Sequence, residues 1–375
     1  MFWRTRARPP YKGEVMLYKV LFGLHDFFSP LNVFRYITFR TALAVITGMI
    51  FSLIIGPRTI CWLKKISFTQ QIRDDGPQTH LKKSGTPTMG GIIIIVSILF
   101  AILLWGDLEN MYVWIMILSL IGYGCIGFLD DYLKVVRKNP KGLRACYKFG
   151  AQIGLALLIG TLLYLNPKDP YTDVLNIPFF KRWLFDLGWF YIPFSVVVIV
   201  GSSNAVNLTD GIDGLAIGLV GIALLANLIL VYISGNARFA QYLQVLYLHG
   251  TGELTVICGS MLGASLGFLW FNSYPADVFM GDVGSLGLGG ALGTLAIITK
   301  HEIVLALVGG IFVIETLSVV FQVASFKLTG KRIFRMAPIH HHFELKGWHE
   351  SKVIVRFWII GIMLALLSLA TLKLR

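Results

Sequence analysis

Asn204-Ala-Val-Asn-Leu-Thr-Asp210-Gly-Ile-Asp213-Gly-Leu-Ala216 is a polar, glycine-punctuated run set between two apolar blocks, 188–200 and 214–233. Two Asn, one Thr and two Asp at the end of a hydrophobic span are costly to desolvate, so the run belongs at a face of the bilayer or in a polar cavity. Asp210 and Asp213, three residues apart, are expected near one face of the first turn of the following helix. Acidic residues also suit that place as simple N-caps, and for either Asp alone both readings stand.

The flanking apolar blocks recur along the chain. Of 375 residues, 55% are hydrophobic and 14% charged, with a mean hydropathy of +0.71. Blocks of about 20 apolar residues match a ~30 Å hydrocarbon core, which predicts an all-α, polytopic integral membrane protein. Ten transmembrane helices are expected, at about 36–55, 89–105, 111–129, 146–165, 188–200, 214–233, 253–271, 285–299, 303–326 and 353–372. An even number puts both termini on one side. Residues 16–375 read as a single transmembrane domain. Residues 1–15, ahead of an internal Met16, read as a basic extension without a cleavable signal peptide, and 16–28 as a short interfacial helix.

Charge sets the orientation. Connections after odd-numbered spans hold nineteen Lys and Arg, and those after even-numbered spans hold five, so the odd connections are expected in the cytoplasm and both termini outside. The first forty residues carry seven basic side chains against this rule, four of them within residues 1–15. The net charge of +13 comes with no basic stripe and no nucleic-acid motif. It therefore points to topology and to anionic lipid or phosphate substrates, with no nucleic acid as partner. Cys61, Cys125, Cys146 and Cys258 are scattered without the spacing of a disulfide framework or a zinc site. No internal repeat indicates a transporter built from inverted halves.

Five polar clusters fall on odd connections, which argues for one shared site. The first runs from Asp75 to Gly91, where Lys82 or Lys83 is placed to meet a phosphate; a solvated basic loop is the competing reading. Asp130-Asp131-Tyr132 closes the third span. Two carboxylates at a helix C-terminus oppose the dipole by roughly 0.3–1 kcal/mol each, so a cation should offset them, and Mg²⁺ is the obvious candidate. The opening run is the third cluster. The fourth, 272–285, puts Asp282 between Gly281 and Gly284 just ahead of the eighth span, where a helix N-terminus favours phosphate. In the fifth, His340, His341 and His342 are consecutive, so they project differently and do not form one three-His metal site. Glu315, midway along the ninth span, is an intramembrane acid and a site candidate, or else a partner for a neighbouring helix.

Taken together, GTPTMGG (85–91), GFLDDY (127–132), NAVNLTDGIDGLA (204–216), FLWFNSYPADVFMGDVGS (268–285) and RMAPIHHHFELKGW (335–348) resemble the bacterial phospho-N-acetylmuramoyl-pentapeptide transferases. The match runs in order from about Met16 to the C-terminus. The DDY and NLTDGIDGL patterns are shared across the wider superfamily of polyprenyl-phosphate hexosamine-1-phosphate transferases, and the triple-His run is the more specific signal. The resemblance implies transfer from UDP-N-acetylmuramoyl-pentapeptide to undecaprenyl phosphate, giving lipid I and UMP with Mg²⁺. It also implies ten helices and a homodimer in the bacterial inner membrane, with a cytoplasmic-face site, so that the termini placed outside by the charge count are periplasmic.

Carried over residue by residue, it makes Asp282 the magnesium ligand, with Asp130 and Asp131 beside it and Asp131 as a second metal candidate. Asp130 is the implied general base or nucleophile, and His340 the functional member of the triple His. Asn207, Asp213, Asn272 and Phe279 would form the nucleoside pocket, with Lys83 near the phosphates or sugar. Thr88, Asp210, His341 and His342 complete the implied substrate contacts. Two rivals are a sister enzyme using a UDP-N-acetylhexosamine without peptide, and an ion-coupled transporter, which would place its polar groups near the midplane.

Overall fold

The computed structural model describes residues 16–66, 85–135, 137, 142–178 and 184–373. The apolar blocks form helices, which in chain order with the shorter helices between them are α1 (Leu17–Gly23), α2 (Ile37–Lys65), α3 (Gly91–Trp105), α4 (Met111–Val135), α5 (Ala145–Leu165), α6 (Tyr191–Thr209), α7 (Leu215–Ser234), α8 (Ala237–Leu243), α9 (Leu254–Asn272), α10 (Gly281–Thr299), α11 (Glu302–Val308), α12 (Gly310–Thr329), α13 (Ile339–Glu344) and α14 (Glu350–Ala370).

 Among the described residues nine helices are long and apolar enough to cross a bilayer, and α3 is a shorter apolar helix of 15 residues. The fold is an all-α polytopic membrane protein. The described residues hold one two-stranded antiparallel sheet, β1 (Val174–Asn176) with β2 (Leu184–Asp186), within the connection that follows α5.

Two helices form the centre. In α9 and α10, 83% and 89% of the apolar window is buried within the protein. The reason lies in their sequences, SMLGASLG and GDVGSLGLGGALG, where small residues let backbones approach closely. α2 and α7 pack along α9, while α4 and α6 pack along α10. At Gly263 in α9 a Cβ would overlap the Val45 carbonyl group of α2. The outer helices α5, α12 and α14 leave most of their apolar surface facing outward, as lipid-facing helices do.

Several helices run past their expected ends, α2 to Lys65, α4 to Val135 and α6 to Thr209, and three further departures have a local reason. The expected ninth span at 303–326 is two helices, α11 and α12, interrupted at Gly309 next to Gly310; paired glycines are a common cause of a break. The eighth span begins at Gly281, so Asp282 lies inside the first turn of α10 and not ahead of it. The sixth span, α7, begins at Leu215, so Asp210 and Asp213 lie in the preceding turn and not on the helix. Its N-cap is Gly214, at φ 75, and neither Asp caps it.

The end of the bundle away from the five clusters is closed by polar contacts. Arg40 donates two hydrogen bonds to Glu253, at 2.9 and 2.6 Å, and its guanidinium lies over the Tyr18 ring. That contact seats α1 on the bundle, with Phe27 and Phe28 beyond it exposed. Lys300 donates to the Thr172 carbonyl oxygen at 2.5 Å and to Tyr191, whose hydroxyl donates to Glu302 at 2.5 Å. Burial lowers the Lys300 amine to about 8.

Candidate active site

The site is assembled from helix ends and the short connections between them. Segment 85–90 runs beside segment 279–280: Phe279 donates its N–H to the Pro87 carbonyl at 2.8 Å, Gly90 donates to Phe279 at 2.9 Å, and Gly91 to Met280 at 2.8 Å. These bonds satisfy backbone groups that α3, only about 22 Å long at 1.5 Å per residue, leaves inside the bundle. Thr88 and Met89 are buried there, and Phe279 is half-buried. Gly281, at φ 71, follows directly; a Cβ on it would lie 2.6 Å from Asp131 Oδ2 and 3.0 Å from Thr88 Oγ1. A side chain at 281 would therefore press on both.

Asp130 and Asp131 sit one turn before the end of α4, which continues to Val135 instead of stopping at them. The predicted need for a positive offset is met in part by the chain itself. Lys134 Nζ lies 2.7 Å from Asp130 Oδ2 and 3.0 Å from Asp282 Oδ2. Lys148 Nζ, from the first turn of α5, lies 3.0 and 2.6 Å from the same two oxygens. Asp130 Oδ1 also accepts the Leu143 N–H at 2.7 Å. Two ammonium groups thus bridge two carboxylates from different helices.

Asp131 turns the other way, and its Oδ2 accepts the Val283 N–H at 3.2 Å, at the positive end of α10. α4 reaches this close because Gly127 has no side chain; a Cβ there would overlap the Asp282 carbonyl oxygen. From α6, Asn207 Nδ2 donates to Asp282 Oδ1 at 2.7 Å and to Ser285 Oγ at 2.8 Å.

The 210–214 turn joins this centre to the rest. The Asp210 carboxyl is pushed up to about 8 by burial first, then by Asp282 and Asp213, against a hydrogen bond from the Gly281 N–H. Asp213 Oδ2 accepts the Ala276 N–H at 3.1 Å, and its own N–H donates to Glu350 at 3.0 Å. Both polar atoms of the Asn272 amide are engaged within the chain: Oδ1 accepts from Gly214 at 3.1 Å and Nδ2 donates to the Val278 carbonyl at 2.9 Å. Asn272 therefore ties the turn to the 273–280 connection.

The three histidines project in three directions. His340 is buried, with Nδ1 3.1 Å from Glu315 Oε1. His341 Nδ1 meets Glu344 Oε2 at 2.7 Å, and His342 Nδ1 accepts the Arg335 N–H at 3.0 Å. Slight burial, with Lys346 and Arg335 nearby, lowers the His342 ring below its ordinary range. Lys83 lies outside the described residues.

The described part of the first cluster, 85–91, and the other four clusters thus reach one end of the bundle, and Asp130, Asp131, Asn207, Asp210, Asp213, Asn272 and Asp282 interlock there. Lys134, Lys148, Ser285 and Glu350 are additional members that the sequence reading did not single out. Lys134 carried a usable signal, four residues after Asp130 on one helix. Lys148 was also detectable, as the one charged residue in the opening turn of an apolar span.

Comparison with known proteins bears on which enzymes share this arrangement. Residues 113–300 match the model of glycosyl transferase family 4, and residues 83–95 match signature 1 of the phospho-N-acetylmuramoyl-pentapeptide-transferases. A phospho-N-acetylmuramoyl-pentapeptide-transferase of Thermodesulfovibrio yellowstonii is 71% identical over 361 residues, covering 96% of this chain and 100% of that protein. The chain belongs to the phospho-N-acetylmuramoyl-pentapeptide-transferase family. Transferases of the same name from Citrifermentans bemidjiense and Syntrophus aciditrophicus are 57% and 56% identical, each across 96% of this chain and 100% of their own length. The matched glycosyl transferase region contains the aspartates of α4 and α10, Asn207 and both lysines. The family signature covers Thr88 and the start of α3.

Proposed function

We propose that this chain transfers phospho-N-acetylmuramoyl-pentapeptide from its UDP-linked donor to undecaprenyl phosphate, forming lipid I and releasing UMP. The observation that carries the reading is the bridge of Lys134 and Lys148 between Asp130 and Asp282, at the end of an apolar bundle. A reaction between a polar nucleotide sugar and a lipid phosphate needs phosphate-handling charge where helices end. The names of the relatives supply the donor. By the positive-inside count, the site faces the cytoplasm of a bacterial inner membrane and both termini face the periplasm. A homodimer is part of the same proposal.

The donor set suits Mg²⁺. Asp131 and Asp282 are carboxylates adjoining the N-terminal turn of α10, and Mg²⁺ is characteristically held by one or two carboxylates together with substrate phosphates. Among the described residues no group of three or more His, Cys, Asp or Glu side chains is arranged to hold a metal alone. When bound, the ion would neutralise charge on the pyrophosphate. The chain's own groups do the rest. Lys134 and Lys148 can exchange a carboxylate for a phosphate oxygen as charge moves from the β-phosphorus to the departing UMP. Asn207, whose amide also donates to Ser285, holds the Asp282 carboxylate in place. The N-terminal turn of α10 adds a positive dipole end.

Because a phosphate monoester has a second pKa near ~6, the lipid phosphate is largely dianionic at neutral pH, and a strong base is not required. Asp130 orients it for one-step, in-line attack and removes any residual proton. The competing scheme makes Asp130 a covalent nucleophile, and trapping a phosphosugar enzyme without lipid would select it. Asn207, Asp213, Asn272 and Phe279 shape the nucleoside pocket, with the Phe279 ring against uracil and the Asn272 contribution being to hold the pocket wall. Thr88, Lys83, Asp210, His340, His341 and His342 complete the donor contacts.

The test is UMP release by detergent-purified protein with undecaprenyl phosphate, comparing UDP-N-acetylmuramoyl-pentapeptide with UDP-N-acetylglucosamine, each in Mg²⁺ and in EDTA. Release with the pentapeptide donor in Mg²⁺ alone supports the proposal. Release with the simple hexosamine moves the chain to the sister reaction, and no release with either contradicts a transferase.

A further inference from the structure

Glu315 has no role in the account so far, yet it is wholly buried in α12. A carboxylate within a membrane-spanning helix is expensive unless a specific partner meets it. Its partner is His340, equally buried, with Nδ1 3.1 Å from Oε1. Beyond this ion-pair contact, neither carboxylate oxygen and neither ring nitrogen has a hydrogen-bond partner among the described residues. The opposite side of the ring meets the acidic turn: a Cβ at Gly211 would overlap His340 Nε2. The imidazole is therefore held between Glu315 and the residue that follows Asp210. Its two neighbours in the triple His are engaged elsewhere, with Glu344 and with the backbone of Arg335.

We propose that Glu315 is the positioning residue for His340, keeping a proton on Nδ1 and presenting Nε2 to the Asp210–Asp213 turn. A carboxylate on one imidazole nitrogen fixes the tautomer and ring orientation and stabilises the doubly protonated ring. In that form Nε2–H is a donor for an anionic oxygen of the donor's pyrophosphate, with Glu315 balancing the charge. Gly211 is required because a side chain there would collide with the ring at Nε2. The proton on Nδ1 rests on the 3.1 Å contact with Glu315, whereas the phosphate contact rests on the transferase reading.

Two measurements on the full-length protein separate these parts. In ¹⁵N-histidine-labelled protein without substrate, the His340 resonances, assigned by their loss in His340→Asn, should show protonated Nδ1, and Glu315→Met should shift that population toward Nε2-protonated ring. An unchanged spectrum overturns the proposal even if no transfer activity is found. In the UMP-release assay, Glu315→Met should lower kcat about 10- to 100-fold, as loss of a group orienting a functional histidine does, while the donor KM moves less than about threefold. Combined with His340→Asn it should add less than about threefold to the loss from His340→Asn alone. Multiplicative losses would show that Glu315 does not act through His340 and would overturn the proposal. Glu315→Gln keeps the acceptor and the side-chain size, and should retain more activity than Glu315→Met; equal loss in two folded variants also counts against it.

Discussion

Lys148 touches both carboxylates on which the proposed chemistry turns, and its side chain is 19% exposed against 36% for Lys134. Lys148→Met is therefore expected to lower kcat by about 10²–10³-fold, the range for removing one preorganised charge-stabilising donor, with Lys134→Met costing less. UMP release at saturating donor measures this, and a Lys148→Met enzyme with wild-type kcat would contradict it. Asp210 carries a pH signature. Its folded carboxyl titrates near 8 and its unfolded one near the ordinary carboxylate value, so between them the folded state holds the extra proton. Stability of metal-free protein should then fall as pH rises from about 4 to 8, and Asp210→Asn should flatten that fall in a thermal melt. A wild-type curve as flat as the variant's would remove the effect. At this scale the carboxylates were legible because charge at the end of an apolar block is conspicuous. The Lys134–Asp130 pair was within reach of local spacing, four residues apart on one helix, whereas the contacts of both lysines with Asp282 run between helices and leave no local spacing to read.

Between α4 and α10 the limiting feature is a missing side chain. Gly127→Ala would drive a methyl group into the Asp282 carbonyl, and overpacking of this kind typically costs about 1–3 kcal/mol. Activity should fall together with the melting temperature, because the displaced segment carries Asp282. Gly150→Ala is the control, since nothing lies within 4 Å of a Cβ there; it should be neutral or stabilising by up to about 1 kcal/mol. Equal melting temperatures for the two variants would show that the α4–α10 approach tolerates a methyl. The helices themselves were largely legible, for length and hydropathy mark them. What pattern alone did not give was where polar ends remain helical. α4 continues past Asp131 because Lys134 and Lys148 answer its carboxylates, and α10 starts at Gly281 because Asp131 accepts a hydrogen bond from its first turn. The break at Gly309 was within reach, since the Gly309-Gly310 pair stands in the sequence.

Across the whole molecule, function divides by end. One end gathers the acidic residues, the bridging lysines and the triple His, while the other is closed by Arg40 with Glu253 and by Lys300 with Tyr191 and Glu302. A transporter would be expected to keep its polar groups near the midplane between repeats, whereas a transferase joining a soluble nucleotide to a membrane lipid needs them where helices end. Parity of the connections was enough to bring the five clusters to one end in the sequence reading, because successive spans must alternate. The Glu315–His340 contact was not legible, since it depends on how α13 folds back against α12. The central claim is that a sugar phosphate, and not a bare sugar, moves from nucleotide to lipid at that end. The most direct measurement supplies UDP-N-acetylmuramoyl-pentapeptide carrying ³²P in its β-phosphate, with undecaprenyl phosphate, to the purified protein. The label should enter the lipid fraction as unlabelled UMP appears; label remaining in soluble UDP, with sugar alone on the lipid, would contradict the account.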